Sequence, residues 1–222
     1  MPVKSDTKEK IIEAARELFH VQGFHATSLA EIFQKAGVNS GSLYYFFKSK
    51  DELLHAVLDA YVGLLWPAVM EPAFRKTDDP IERVFSVLAG YRQMLMQTGC
   101  TLGCPIGNLA LELGDTKPDV REKIALNFAN WCKAIESCLD AAADRLPADV
   151  DRARLSRFVL TVMEGGIMQA RGHRDIRPYD DGVAQLRDYF DRLLAQRRRE
   201  AEGVQQGKRP GDPPSHETGA EP

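Results

Sequence analysis

The sequence predicts an all-α protein, on three observations. Apolar residues recur at three- and four-residue spacing along nearly every segment, which is the pattern of helices with one buried face. No stretch alternates apolar and polar residues between hairpin turns, so a sheet is not expected. Capping residues, glycines and prolines divide the chain at helix-length intervals. The composition agrees: 222 residues, 44% hydrophobic and 27% charged, lie near the average for folded chains. Wholesale disorder, collagen-like repeats and disulfide scaffolds are thereby excluded. One or two domains are expected, with a core that needs no metal or disulfide.

The elements follow in order. Ser5 or Asp6 can cap a first helix whose apolar face carries Ile11, Ile12, Ala15, Leu18 and Phe19, and Gly23 stops it. Ser28 with Glu31 forms a capping-box pattern that opens a second helix, and Gly37 ends it. Asn39 and Ser40 can cap a short third helix, to about Phe47. Ser49 with Glu52 opens a fourth. Pro67, Pro72 and Pro80 punctuate the next region, and a helix is expected from Pro80 to about Gln97. Cys104 precedes Pro105, which suits a first helical position, and Gly114 suits the residue past the end. Thr116 and Pro118 start a long helix with Ile124, Phe128, Trp131, Ile135 and Leu139 along one face. Leu146-Pro147 breaks it. Two further helices are expected at about Arg152–Arg171 and Asp180–Arg199. From Glu200 to Pro222 apolar residues almost vanish, which reads as a disordered tail. The division expected is a head at 1–50, a body at 51–199 and a tail at 200–222.

Two short helices meeting at Gly37, behind a longer one, fit a helix-turn-helix, whose second helix enters the major groove of DNA. The third helix has suitable residues. Ser40, Gly41 and Ser42 allow close backbone approach, and Tyr44 and Tyr45 offer hydroxyls to phosphates and rings to thymine methyls. Lys48 and Lys50 flank it at a helix start, where a cation and free N–H groups can meet phosphate. Residues 1–50 carry a net charge of +2 against −5 for the remainder, a modestly basic head on an acidic body. The alternative is a set of small core-forming helices with solvated lysines.

The residues themselves carry a resemblance. The run Gly23-Phe24-His25-Ala26-Thr27-Ser28-Leu29-Ala30-Glu31-Ile32, followed by Ala36-Gly37-Val38-Asn39-Ser40-Gly41-Ser42-Leu43-Tyr44-Tyr45-Phe46-Phe47-Lys48-Ser49-Lys50-Asp51-Glu52-Leu53, resembles the signature of the TetR family of transcriptional regulators over about residues 8–55. It departs at Phe46, where His is common, and at Asn39, usually Ser. The resemblance implies about nine helices, the first three reading DNA and the rest binding a ligand and dimerising. It implies a homodimer built on the last two helices, reading a palindromic operator in double-stranded DNA. By position, the DNA contacts are Thr27, Ser28, Ser40, Gly41, Tyr44, Tyr45 and Lys50. The function expected is a one-component regulator, a repressor released by a small-molecule or thiol-reactive effector. An activator, or a protein-responsive regulator on the same fold, is the alternative.

Cys104 is expected to be the N-cap of its helix, where the dipole and unpaired N–H groups lower the pKa of an accessible thiol. Free Cys also often simply packs. The segment from Cys100 to Gly114 resembles a branch of TetR-type repressors with a Gly-Cys step, which includes regulators responsive to N-ethylmaleimide-type electrophiles and to acrylate. There the matching Cys senses the electrophile together with a Lys, and Arg171 stands in the Lys position here. Arg cannot supply a neutral amine, but it can stabilise a thiolate or bind a carboxylate. Trp66, Met94, Phe128, Trp131 and Met163 are candidate pocket linings. No catalytic motif, cofactor loop or metal-ligand spacing is apparent, so no enzyme, cofactor or metal is expected. Residues 1–20 hold eight charged side chains where a signal peptide needs an apolar run. The longest uncharged run, Gln93 to Leu111, is too polar for a membrane span. The expected compartment is the cytoplasm, with four free thiols.

Overall fold

The computed structural model describes residues 4–206, with the side chains of Ser40, Ser42 and Leu43 among the few left undescribed inside that range. Nine helices and no strand are present among the described residues. The head is α1 (Lys4–Gln22), α2 (Leu29–Ala36) and α3 (Ser40–Phe46). The body is α4 (Lys50–Phe74), α5 (Pro80–Gln97), α6 (Pro105–Leu113), α7 (Pro118–Ala141), α8 (Arg152–His173) and α9 (Arg177–Gln206).

The caps lie close to where the residue types put them. Ser28 Oγ accepts from the Glu31 N–H while the Glu31 carboxylate accepts from the Ser28 N–H, a complete capping box. Ser49 caps α4 through the Glu52 N–H, but Glu52 reaches back one residue further, to the Lys48 N–H. Gly37 ends α2 at φ +66°, and Gly23 turns the chain at φ +89°; both angles favour glycine. α1 begins at Lys4, so Ser5 and Asp6 lie in its first turn rather than before it. At the other end α9 runs to Gln206, past the Glu200 boundary expected from composition: Glu200, Ala201 and Glu202 are good helix formers and prolong a helix already nucleated. The remainder of the expected tail, 207–222, lies outside the described residues.

One core runs through head and body. Ile11, Ala15 and Phe19 of α1 pack with Ile32 and Phe47 in the head and meet Leu53, Leu54, Val57 and Leu58 of α4. α4 is apolar enough, and long enough, to cross a membrane by length and composition. Here it packs on α1 and α7, and Asn127 of α7 donates to the Leu58 carbonyl from inside the core. Beyond Leu64 it widens into a π-helical turn, Leu65–Met70, in which the Glu71 N–H bonds to the Trp66 carbonyl five residues back. Pro67 sits in this turn, has no N–H to give, and clashes with a carbonyl in a regular α-helix.

α8 and α9 form the most extensive helix pairing. They approach closely at Gly166, where an added Cβ would lie 3.1 Å from Tyr179 Cα. Tyr179 is buried and its hydroxyl donates to the Leu88 carbonyl at 2.8 Å, tying α9 to α5. Gly166→Ala forces these backbones apart and is expected to cost about 1–3 kcal/mol. Gly90→Ala, on α5 with open space around the added methyl, is expected to stabilise by up to about 1 kcal/mol. Thermal denaturation of the two variants checks both signs.

Candidate functional site

The head presents α3 outward. Tyr44 and Tyr45 are 55% and 67% exposed, well above what a core aromatic shows. The Tyr44 ring meets Phe33 of α2 edge-on at 6.3 Å, which fixes its direction. Gly41 is exposed on the same helix and Ser28 at the start of α2. Ser40 opens α3 in the backbone, and its side chain lies outside the described residues.

Two expected contacts are corrected. Thr27 is 1% exposed and its hydroxyl donates to the Gly23 carbonyl at 2.6 Å, so it holds the turn together and offers nothing to DNA. Lys50 turns inward. Its ammonium donates to the carbonyls of Phe24 and Thr27, both at 2.8 Å, and lies 4.2 Å from the Phe24 ring centroid. Two charge-assisted hydrogen bonds and an aromatic face offset the water that the ammonium gives up there. The expected cation at this edge is instead the exposed Lys48.

The body holds a cavity of about 300 Å³ between α1, α4, α5, α7 and α8. Met94, Phe128, Trp131 and Met163 line it as expected. Trp66 does not: it is 54% exposed and stacks edge-on with Phe74, because the π-helical turn directs Leu65, Ala68 and Val69 inward instead. Tyr61, Tyr91 and Glu164 complete the wall. A wider outer groove of about 510 Å³ shares Cys104, Phe128, Leu160 and Glu164 with the cavity and continues to Asn108, Met168 and Arg171.

Cys104 is the N-cap of α6, as expected, and its sulfur accepts from the Gly107 N–H at 3.4 Å. The sequence expects activation only of an accessible thiol, and Cys104 is buried. Burial pushes the thiol well above its ordinary range, and the neighbouring Glu164 charge pushes it further. The helix terminus acts in the opposite direction and loses, since desolvation of a buried thiolate outweighs one partial dipole. Arg171 does not redress this. Its guanidinium donates to Asn108 Oδ1 at 2.7 Å, and the charge beside the thiol is the carboxylate of Glu164.

α6 also reaches the head. Near its C-terminal end the Glu112 carboxylate accepts from the N–H groups of Phe24 and His25 at 2.9 and 2.6 Å. Gly23 leaves the room, since a Cβ there would lie 3.0 Å from Glu112 Oε2. Ahead of α6, the His20 ring bonds the Gly103 carbonyl at 2.7 Å, so Nε2 carries the proton and donates. Burial keeps that imidazole below its ordinary pKa, and hence neutral at pH 7.

Two family models match this chain: the bacterial regulatory proteins of the tetR family over residues 11–57, and a tetracyclin repressor-like C-terminal domain over residues 80–186. The HTH-type transcriptional regulator Rv0196 of Mycobacterium tuberculosis is 31% identical over 197 residues, 86% of this chain and 98% of its own. The chain belongs to the TetR family. It is a DNA-binding transcriptional regulator, and the proteins it matches are regulators, not enzymes. The HTH-type transcriptional repressor BdcR of Escherichia coli is 35% identical over 74% of this chain and 80% of its own. A TetR-family regulator from Cytophaga hutchinsonii shares the fold, with a TM-score of 0.75 at 22% identity over 88% of this chain and 96% of that one.

In this TetR-family chain, the cavity walls missed by sequence reasoning are Tyr61, Tyr91 and Glu164, and the missed head–body contact is Glu112. No sequence pattern marks which face of a helix borders a cavity. Glu112 reads as an ordinary solvated acid. For the head, Tyr44→Phe and Tyr45→Phe are each expected to weaken binding to an operator duplex about tenfold, one hydrogen bond to a charged group, with the melting temperature of Tyr44→Phe unchanged. Lys50→Met is expected to lower the melting temperature, by about 1–3 kcal/mol of head stability. Fluorescence anisotropy with parallel thermal melts separates the two classes.

Proposed function

We propose that this protein is a homodimeric repressor that binds a palindromic operator and is released when a small molecule enters the body cavity. The single observation that carries the reading is α6. One nine-residue helix (Pro105–Leu113) contributes Pro105 and Ile106 to the cavity wall and, at Glu112, the carboxylate that holds the head. A ligand that displaces the start of α6 displaces Glu112 with it, because a helix this short moves as a unit. Release then follows from the ligand's preference for the arrangement whose two heads no longer match the operator.

The dimer reading is supported by the apolar surface left on the last two helices. Phe158 of α8 and Tyr189 of α9 are 45% and 44% exposed, and their rings meet edge-on at 5.8 Å. Met168 lies exposed on the same helix as Phe158. Such a patch favours burial against a second copy. The two-fold dimer then presents two α3 helices to half-sites at least one turn of DNA apart. The exposed Ser28, Gly41, Tyr44 and Tyr45 are the proposed contacts, with Ser40 beside them at the α3 N-terminus. The protein acts where the DNA is, in the cytoplasm. The effector binds reversibly, because the Cys104 thiol is protonated and buried, and Cys104 and Arg171 shape the wall between cavity and groove.

The test is anisotropy with duplex DNA from upstream of the protein's own gene. Two protomers per duplex and an affinity that falls steeply with salt are expected. Glu112→Ala is expected to retain the dimer and to bind this duplex about tenfold more weakly. Affinity no greater than for an unrelated duplex contradicts the reading.

A further inference from the structure

We infer that the body cavity takes a flat, apolar organic cation whose charged nitrogen is held by the carboxylate of Glu164. The inference rests on reading that cavity as the effector site.

Glu164 projects from α8 to the partition between cavity and outer groove and borders both. Its Oε1 is buried and has no hydrogen-bond partner. Its Oε2 lies where a Cβ on Gly107 would approach to 2.6 Å, so the glycine keeps a space in α6 that the carboxylate fills. A buried carboxylate oxygen without a donor is costly, and a structure tolerates it where a ligand supplies the donor.

The Tyr61 hydroxyl and the Trp131 Nε1–H also border the cavity without a partner, but neither carries a charge, and the cations and amides nearby are already engaged. Arg16 of α1 is paired with Glu13, its Nε donating at 2.8 Å. His20 donates to Gly103. Asn127 of α7 gives its amide protons to the Leu58 and Lys123 carbonyls. Arg171 lies outside the cavity, on Asn108. The acidic group left without a counter-ion at the space is Glu164; burial raises its pKa, and a bound cation favours its charged form.

The rest of the wall selects for shape and softness. Tyr61, Tyr91, Phe128 and Trp131 present aromatic surface, and Met94 and Met163 present thioethers. Aromatic faces attract a cation in a desolvated site by a few kcal/mol at most, which favours charge without replacing the carboxylate. At about 300 Å³ the space matches a fused two- or three-ring body. A carboxylate ligand, which Arg171 suggests from sequence, meets Glu164 as a like charge.

Isothermal titration calorimetry of the full-length protein at pH 7 with three isosteric probes tests this. 1-Naphthylmethylammonium is expected to bind at least tenfold tighter than 1-naphthylmethanol, and 1-naphthoate more weakly than either. Glu164→Gln is expected to bring the ammonium to the affinity of the alcohol and to leave the alcohol unchanged. Gly107→Ala, which pushes the carboxylate out of its space, is expected to weaken the ammonium as well and serves if the first variant does not fold. Equal binding of ammonium and alcohol, preference for naphthoate, preference retained in both variants, or no binding of any probe overturns the inference. Anisotropy on the same preparation separates it from the functional reading. Operator binding without cation binding leaves the regulator and removes this ligand. Cation binding that leaves the operator bound keeps the site's chemistry and removes its effector role.

Discussion

Beyond the shared apolar core, the head is tied to the body by a carboxylate on backbone. Glu112 accepts from the N–H groups of Phe24 and His25 at the turn that ends α1, and those two groups have no helical partner of their own. The same turn is closed from the opposite side by the Lys50 ammonium, which binds the carbonyls of Phe24 and Thr27. An anion on the donors and a cation on the acceptors fix one short segment from two elements, α6 and α4. The direction in which α3 leaves the head depends on that segment. The surrounding contacts, the Lys117–Asp51 ion pair and the His55–Asp119 hydrogen bond, lie toward the surface and contribute little by comparison.

The cavity has a second cause, a proline. Pro67 cannot continue a regular helix, and the π-helical turn around it rotates the end of α4 so that Leu65, Ala68 and Val69 face inward and Trp66 faces out. The space that results is walled on one side by α6. This places the N-cap of α6 against Glu164 and its C-terminal end against the head, so that the cavity and the Phe24–His25 turn lie at two ends of one nine-residue helix. Burial at that N-cap also decides the state of Cys104. A helix terminus lowers a thiol's pKa only while water still reaches the thiolate.

Much of this was legible from residue types. Capping boxes, glycine stops and first-turn prolines are local chemistry, and Ser28, Gly37, Cys104-Pro105 and Pro80 bound helices as they should. Tyr44 and Tyr45 stood out as hydroxyls and rings suited to phosphates and thymine methyls, and both are exposed. Lys50 was misplaced because a side chain's direction depends on a partner far away in sequence, its carbonyls lying more than twenty residues back; Thr27 was misplaced by a local bond, to the carbonyl four residues before it. Trp66 was misplaced by a change of helical register that a regular period does not contain. Glu112 and Glu164 carried no signal, because a carboxylate on a helix is ordinarily solvated, and only tertiary packing brings one to a backbone turn and the other to a cavity.

The central claim is that filling the cavity loosens the turn through α6. Amide hydrogen exchange at Phe24 and His25, measured with and without 1-naphthylmethylammonium at saturation, tests it most directly. The account predicts that the ligand accelerates exchange at these two amides while the amides of α2, beyond the Ser28 cap, stay protected. Unchanged exchange at Phe24 and His25 with the cavity occupied contradicts it.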